Sequence, residues 1–163
     1  MKREDVTEVL AKPISRELLH SPIPARLAYT GTDGAPRVIP IAYLWDGERV
    51  LMATVPKAAK VRALRRDPRV AITVDTQDQW PPRALLIRGT ARVEEVDGVP
   101  EAYVEACRKG IPAEHFAEWE QGVRALYDRM VLITVEPEWA KLLDFETTIP
   151  QAVEDLVRER QGS

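Results

Sequence analysis

The chain has 163 residues, 45% of them hydrophobic and 30% charged, with a formal net charge of −3. That is the make-up of one soluble domain large enough to bury a core, and the mild negative balance argues against a polyanion such as nucleic acid as partner. Cys107 is the only cysteine, so no intrachain disulfide can form, and no run approaches the length of a membrane span.

In chain order, residues 3–20 read as helical, with Val6, Val9 and Leu10 on one face, a break at Pro13, then Leu18 and Leu19. The opening Met1–Val6 lacks the apolar run of a signal peptide, which gives a cytoplasmic expectation. Ser21–Pro24 is an entry loop, Ala25–Thr30 a first strand, and Asp33-Gly34 a hairpin turn. Residues 37–45 form a second strand that Pro40 interrupts, bulges or confines to an edge. Backbone groups near Pro40 are then candidates for bonding something other than a strand. Asp46-Gly47 turns into a third strand over residues 48–54.

A short basic helix follows. Pro56 suits a first helical position, and Pro68 disfavours helical geometry at Asp67. Residues 57–69 hold Lys57, Lys60, Arg62, Arg65, Arg66 and Arg69 against the single acid Asp67. A helix dipole favours acids in its first turn and repels cations. Val55 is a poor cap, so free backbone N–H groups beside two lysines make a place for a small anion, the alternative being a solvated basic face.

Residues 69–76 form a fourth strand, with Val70, Ile72 and Val74 on one face. A loop carrying Trp80 leads to a long fifth strand, Arg83–Val96, with a bend or bulge at Gly89. Two helical patterns, Pro100–Lys109 and Ala113–Arg129, come next. In the second, Phe116, Trp119, Val123, Leu126 and Tyr127 lie at helical spacing, the pattern of a core-facing stripe. Met130–Val135 is a sixth strand, Trp139–Phe145 a possible seventh, and residues 150–160 a terminal helix. This is one domain over residues 1–163 with its core over about 23–145. Its class is mainly β with accessory helices, a six- to seven-stranded antiparallel split β-barrel.

Catalytic motifs are scarce. His20 and His115 stand alone, no metal-ligand spacing occurs, and there is neither G-x-G-x-x-G nor G-x-S-x-G. An enzyme of this composition leaves the bond-making to a cofactor.

The order Pro40-Ile41-Ala42-Tyr43, Leu51-Met52-Ala53-Thr54, Lys60 through Val70 and Arg88-Gly89-Thr90-Ala91-Arg92-Val93 resembles the pyridoxamine 5′-phosphate oxidase-like split-barrel family over residues 23–136. The resemblance implies a homodimer with a cofactor at the subunit interface. The cofactor is FMN or, in one branch, a deazaflavin coenzyme, and the balance here leans to FMN. Val38, Ile39, Pro40, Ile41 and Ala42 would face the flavin ring. Thr54, Lys57 and Lys60 would hold the phosphate, and Trp80 or Arg88 would come from the second subunit. Arg65 and Arg66 are either solvated or meet an acidic cofactor tail. The implied function is hydride transfer to or from a small molecule; the alternatives are a deazaflavin-dependent reductase and a non-catalytic flavin or small-ligand binder. Two positions depart from the family: Ala63 stands where Asn is common, and the C-terminal Arg-Glu-Arg-Gln-Gly-Ser lacks the Arg-containing, Pro-ended motif of the vitamin-salvage enzymes.

Overall fold

The computed structural model describes residues 1–162. Its elements are α1 (Arg3–Ala11), α2 (Pro13–His20), β1 (Ala25–Thr30), β2 (Pro36–Ile41), β3 (Leu44–Trp45), β4 (Val50–Thr54), α3 (Ala59–Arg66), β5 (Arg69–Asp75), β6 (Ala84–Asp97), α4 (Glu101–Arg108), α5 (Ala113–Leu126), β7 (Arg129–Leu143) and α6 (Gln151–Gln161). The seven strands form one antiparallel sheet in the order β2-β1-β5-β6-β7-β4-β3.

That order forces the sheet to curl. β2 and β3 are its two edges, yet only Ala42 and Tyr43 separate them in the chain. Seven strands laid flat at roughly 4.8 Å spacing would hold the outer two about 29 Å apart. Three Cα steps, Ile41 to Leu44, span at most about 11 Å. The sheet therefore bends round until its edges approach, with a seam between β2 and β3 where no ladder forms. Such a sheet, curled but not closed, is a split β-barrel.

Its interior is lined by alternating residues. Val70, Ile72 and Val74 of β5 are buried while Arg69 and Ala71 face out. Leu27, Leu85, Ile87, Met52, Val131, Ile133 and Val135 join them in one cluster. α2 packs against β3, at one edge of the sheet, and also against β5 and β6 at its middle, as the curl of the sheet allows.

The Asp-Gly turns form as expected, Gly34 and Gly47 taking φ of 83° and 105°, a region that favours glycine. Asp46 Oδ1 accepts the N–H groups of Glu48 and Arg49 and fixes the β3–β4 turn. Gly89 lies at a register shift between β6 and β7, as its bulge reading anticipated. A Cβ there would sit 2.2 Å from the Glu136 carbonyl oxygen, so the close approach of β7 requires glycine.

Four expectations need correction. Pro56 does not open the helix: Val55–Ala58 is a turn closed by the Ala58 N–H on the Val55 carbonyl, and α3 starts at Ala59 with Ala58 as its cap. The 37–45 strand is not one strand: it divides at Ala42–Tyr43, where the chain passes from one sheet edge to the other. Pro40 stays in β2, whose edge position tolerates a missing donor. The sixth and seventh strands are one strand, β7, which runs through Pro137 because the bulge opposite Gly89 absorbs the lost donor. The stripe on α5 is not core: only Phe116 is buried, and Leu126 is 68% exposed. The main neighbour of α5 is the short α4, which is too small to cover a 14-residue helix.

Gly89→Ala is expected to cost about 3 kcal/mol, because backbone rather than a flexible side chain must give way; a chemical-denaturation midpoint equal to wild type contradicts the close approach. After β7, Asp144 is 4% exposed. Burial alone would raise its carboxyl pKa, but the Thr147 hydroxyl and the N–H groups of Thr148, Glu146 and Thr147 outweigh burial and hold it well below the usual range. A depressed carboxylate contributes stability above its unfolded pKa and loses it as pH falls. Asp144→Asn should therefore cost about 1–3 kcal/mol at neutral pH and flatten the acid limb of the stability curve; an unchanged acid limb contradicts this.

Candidate functional site

α3 has no side-chain cap and no acid in its first turn. The Ala58 N–H donates to the Val55 carbonyl and the Val61 N–H to the Ala58 carbonyl, which leaves the Ala59 and Lys60 N–H groups without the side-chain oxygen that usually caps a helix. Lys60 stands in that first turn. Its Nζ donates to Thr54 Oγ1, at the end of β4, at 3.3 Å. Lys60 is half-buried, and burial pulls its pKa down. Among the described residues no carboxylate lies within ion-pair distance of it. A partly desolvated cation beside unsatisfied N–H groups is electrostatically incomplete, and a phosphate-sized anion would complete it.

The other cations of this segment differ. Arg65 pairs with Glu95 at 3.4 Å, and Arg69 with Asp67 at 2.7 Å. Arg66 donates to the Thr32 carbonyl at 2.7 Å and so ties α3 to the β1–β2 turn. Lys57 is exposed in the Val55–Ala58 turn, outside the helix, and Arg62 is exposed on α3. The basic run thus holds three arginines with structural partners, two exposed cations, Lys57 and Arg62, and one half-buried lysine with no carboxylate within ion-pair distance.

The predicted ring-binding residues lie on and just beyond the edge strand. Val38 is 64% exposed, Pro40 is exposed, Ile39 and Ile41 pack against the core, and Ala42 is half-buried past the strand end. One side of β2 pairs with β1, and the other faces the seam, free of strand partners. Trp80, in the β5–β6 loop, is 90% exposed. Arg88, on β6, lies over the Trp139 ring at 3.9 Å. Within one chain the structure joins Thr54 and Lys60 directly. No hydrogen bond or ion pair among the described residues links Trp80 or Arg88 to them.

Two concavities are prominent, and neither contains a predicted site residue. One, about 650 Å³, lies between α1, the β3–β4 turn and the β7 bulge, lined by Val6, Leu10, Trp45 and Pro137 with Arg3 and Glu136 among its charged residues. The other, about 400 Å³, lies near the end of α3 against Thr30, Gly31 and Arg66.

No cluster of His, Cys, Asp and Glu among the described residues could hold a metal ion. His20 and His115 are exposed. Cys107 is half-buried, and burial pushes its thiol pKa up, away from a reactive thiolate. No helix among the described residues is long and apolar enough to cross a membrane.

Sequence reasoning did not find Trp139 as the partner of Arg88, nor Lys109 over the ring of Tyr43 at 3.9 Å. Each pair joins residues more than fifty positions apart, and only the fold brings them together.

Residues 12–143 match the family model described as pyridoxamine 5′-phosphate oxidase. Among solved structures, the chain is similar to one titled F420 reductase at 28% identity, with a TM-score of 0.60, over 77% of this chain and 94% of that one. An FAD-binding protein from Mesorhizobium loti matches at 21% identity and a TM-score of 0.54, over 87% and 94%. The heme storage protein HutZ from Vibrio cholerae matches at 20% identity and 0.57, over 81% and 92%. With most of its length matched by the family model, the chain belongs to the pyridoxamine 5′-phosphate oxidase family of split-barrel proteins.

Proposed function

We propose that this protein is a flavin-type oxidoreductase acting as a homodimer on a small molecule. The observation that carries the reading is Lys60: half-buried, without a counter-ion, at an uncapped helix start, and hydrogen-bonded to Thr54. Lys60 and Thr54, with the first N–H groups of α3 and help from Lys57, would hold the cofactor phosphate. The free edge of Val38–Ala42 would lie along the ring, where its backbone N–H groups can stabilise negative charge on the reduced ring. Trp80 and Arg88 of the second copy would supply a wall of the site. The cofactor, when bound, supplies hydride transfer; the chain binds and orients it and excludes water.

FMN is the cofactor that best suits the distribution of cations. It presents one phosphate, and the structure leaves one half-buried lysine for it. Arg65, Arg66 and Arg69, which a longer anionic tail could have used, already have partners. A second reading, a deazaflavin coenzyme, is favoured by the 28% identity to an F420 reductase. There Lys57 and Arg62 would serve the tail.

Lys60→Ala should weaken FMN binding by roughly 10- to 100-fold, the worth of a charge-assisted bond to phosphate. Arg65→Ala should leave it within twofold. Both are read by fluorescence titration of protein stripped of chromophore. Unchanged affinity in Lys60→Ala overturns the phosphate assignment. Tighter binding of the deazaflavin coenzyme than of FMN, weakened by Arg62→Ala, replaces FMN with the second reading.

A further inference from the structure

Tyr43 occupies the crossover that joins the two sheet edges. Its side chain is buried, its residue 1% exposed, and three elements converge on it. Its backbone links β2 to β3, and its hydroxyl donates to the Leu18 carbonyl of α2 at 2.9 Å. Lys109, the residue after α4, places its Nζ 3.9 Å from the ring centre. That Nζ is buried and has no hydrogen-bond partner among the described residues. A buried amine without a partner is unfavourable as a cation, and the ring face offsets only part of the lost hydration.

The geometry points to Lys109 as a positioning residue: seated on Tyr43 it latches the β2–β3 crossover, and with it the Ile41–Ala42 backbone, and protonation of its amine loosens the latch. The consequence for the cofactor rests on the ring placement proposed above; the latch itself does not. Burial pulls the Lys109 amine down to about 8, and burial is its one cause. The surroundings agree. β3 and β4, on which α4 packs, carry no ionisable side chain. Burial pushes the Tyr43 and Tyr103 phenols and the Cys107 thiol up, which disfavours their charged forms. Arg108 is turned onto the Phe116 ring. On α5, Glu120 pairs with Arg124, which also binds Glu101, while His115 and Glu118 are exposed; His20, at the end of α2, is exposed too.

The seated amine binds its proton less tightly than a lysine in water. The seated form therefore gains as pH rises from about 8 toward the ordinary lysine value, and below about 8, where both forms are protonated, the balance is at its least favourable and no longer changes with pH.

The test compares wild type, Lys109→Met and Lys109→Arg with FMN as probe between pH 7.0 and 9.5. Methionine is of similar length and uncharged, so its affinity should equal or exceed that of wild type at pH 7.0. Arginine stays charged throughout and should bind several-fold more weakly than methionine. The ratio of wild-type to Lys109→Met affinity should rise several-fold toward unity across this range, which removes any titration of Lys60 or the phosphate common to both. A ratio that does not change with pH, or a Lys109→Arg variant that tracks wild type, overturns the latch. Two readouts on wild type need neither cofactor nor variant: an NMR titration of the Lys109 side-chain nitrogen and the near-ultraviolet circular dichroism of Tyr43. A midpoint near 8 shared by both supports the latch, and an amine titrating above 10 overturns it. If FMN does not bind but these two agree, the flavin reading fails while the latch stands.

Discussion

Two residues, Ala42 and Tyr43, carry the chain from one edge of a seven-stranded sheet to the other, and the architecture follows from that short reach. A flat sheet would stretch the link well beyond its length. Curling brings the edges together, encloses the apolar faces of β5, β6, β7 and β4, and leaves β2 with one unpaired side. Gly89 belongs to the same solution: β7 approaches β6 so closely at the bulge that no side chain fits between them. The free edge beside the seam is thus a product of the topology.

The electrostatics of α3 divide along the helix. Toward its end, arginines pair with Glu95, the Thr32 carbonyl and Asp67, and these contacts fasten the helix to the barrel. At its start, Lys60 is partly withdrawn from water and reaches only the Thr54 hydroxyl. Structural partners satisfy the first group, which is why they contribute little to a ligand argument. The unsatisfied group at the start is where a bound anion gains most. Neither of the two prominent concavities is lined by Lys60 or Thr54.

Much of the fold was legible in local patterns. Alternation placed Val70, Ile72 and Val74 inward, Asp-Gly placed two turns, and a glycine inside a long strand marked the bulge. The errors have physical causes. Pro56 suits a first helical turn, but it equally suits the turn that precedes Ala58. Pro137 reads as a break because it lacks a donor, yet a bulge needs no donor at that point. The spacing of Trp119, Val123 and Leu126 is that of a buried face, but within one chain nothing large enough packs on α5. At the proposed site, the cation out of place at Lys60 was legible from charge, but the helix start was not: it was read at Pro56 and lies at Ala59. The ring stack of Arg88 on Trp139 and the seat of Lys109 on Tyr43 were also not legible, since neither leaves a signal in local sequence.

We propose that two copies of the chain together hold a phosphorylated flavin-type coenzyme at Lys60. Native mass spectrometry of the freshly purified protein reads chain and ligand stoichiometry in one spectrum. The expected species is two chains carrying two coenzyme molecules of flavin-type mass. A single chain holding the coenzyme by itself, or paired chains that hold none even after incubation with FMN or the deazaflavin coenzyme, would contradict the proposal.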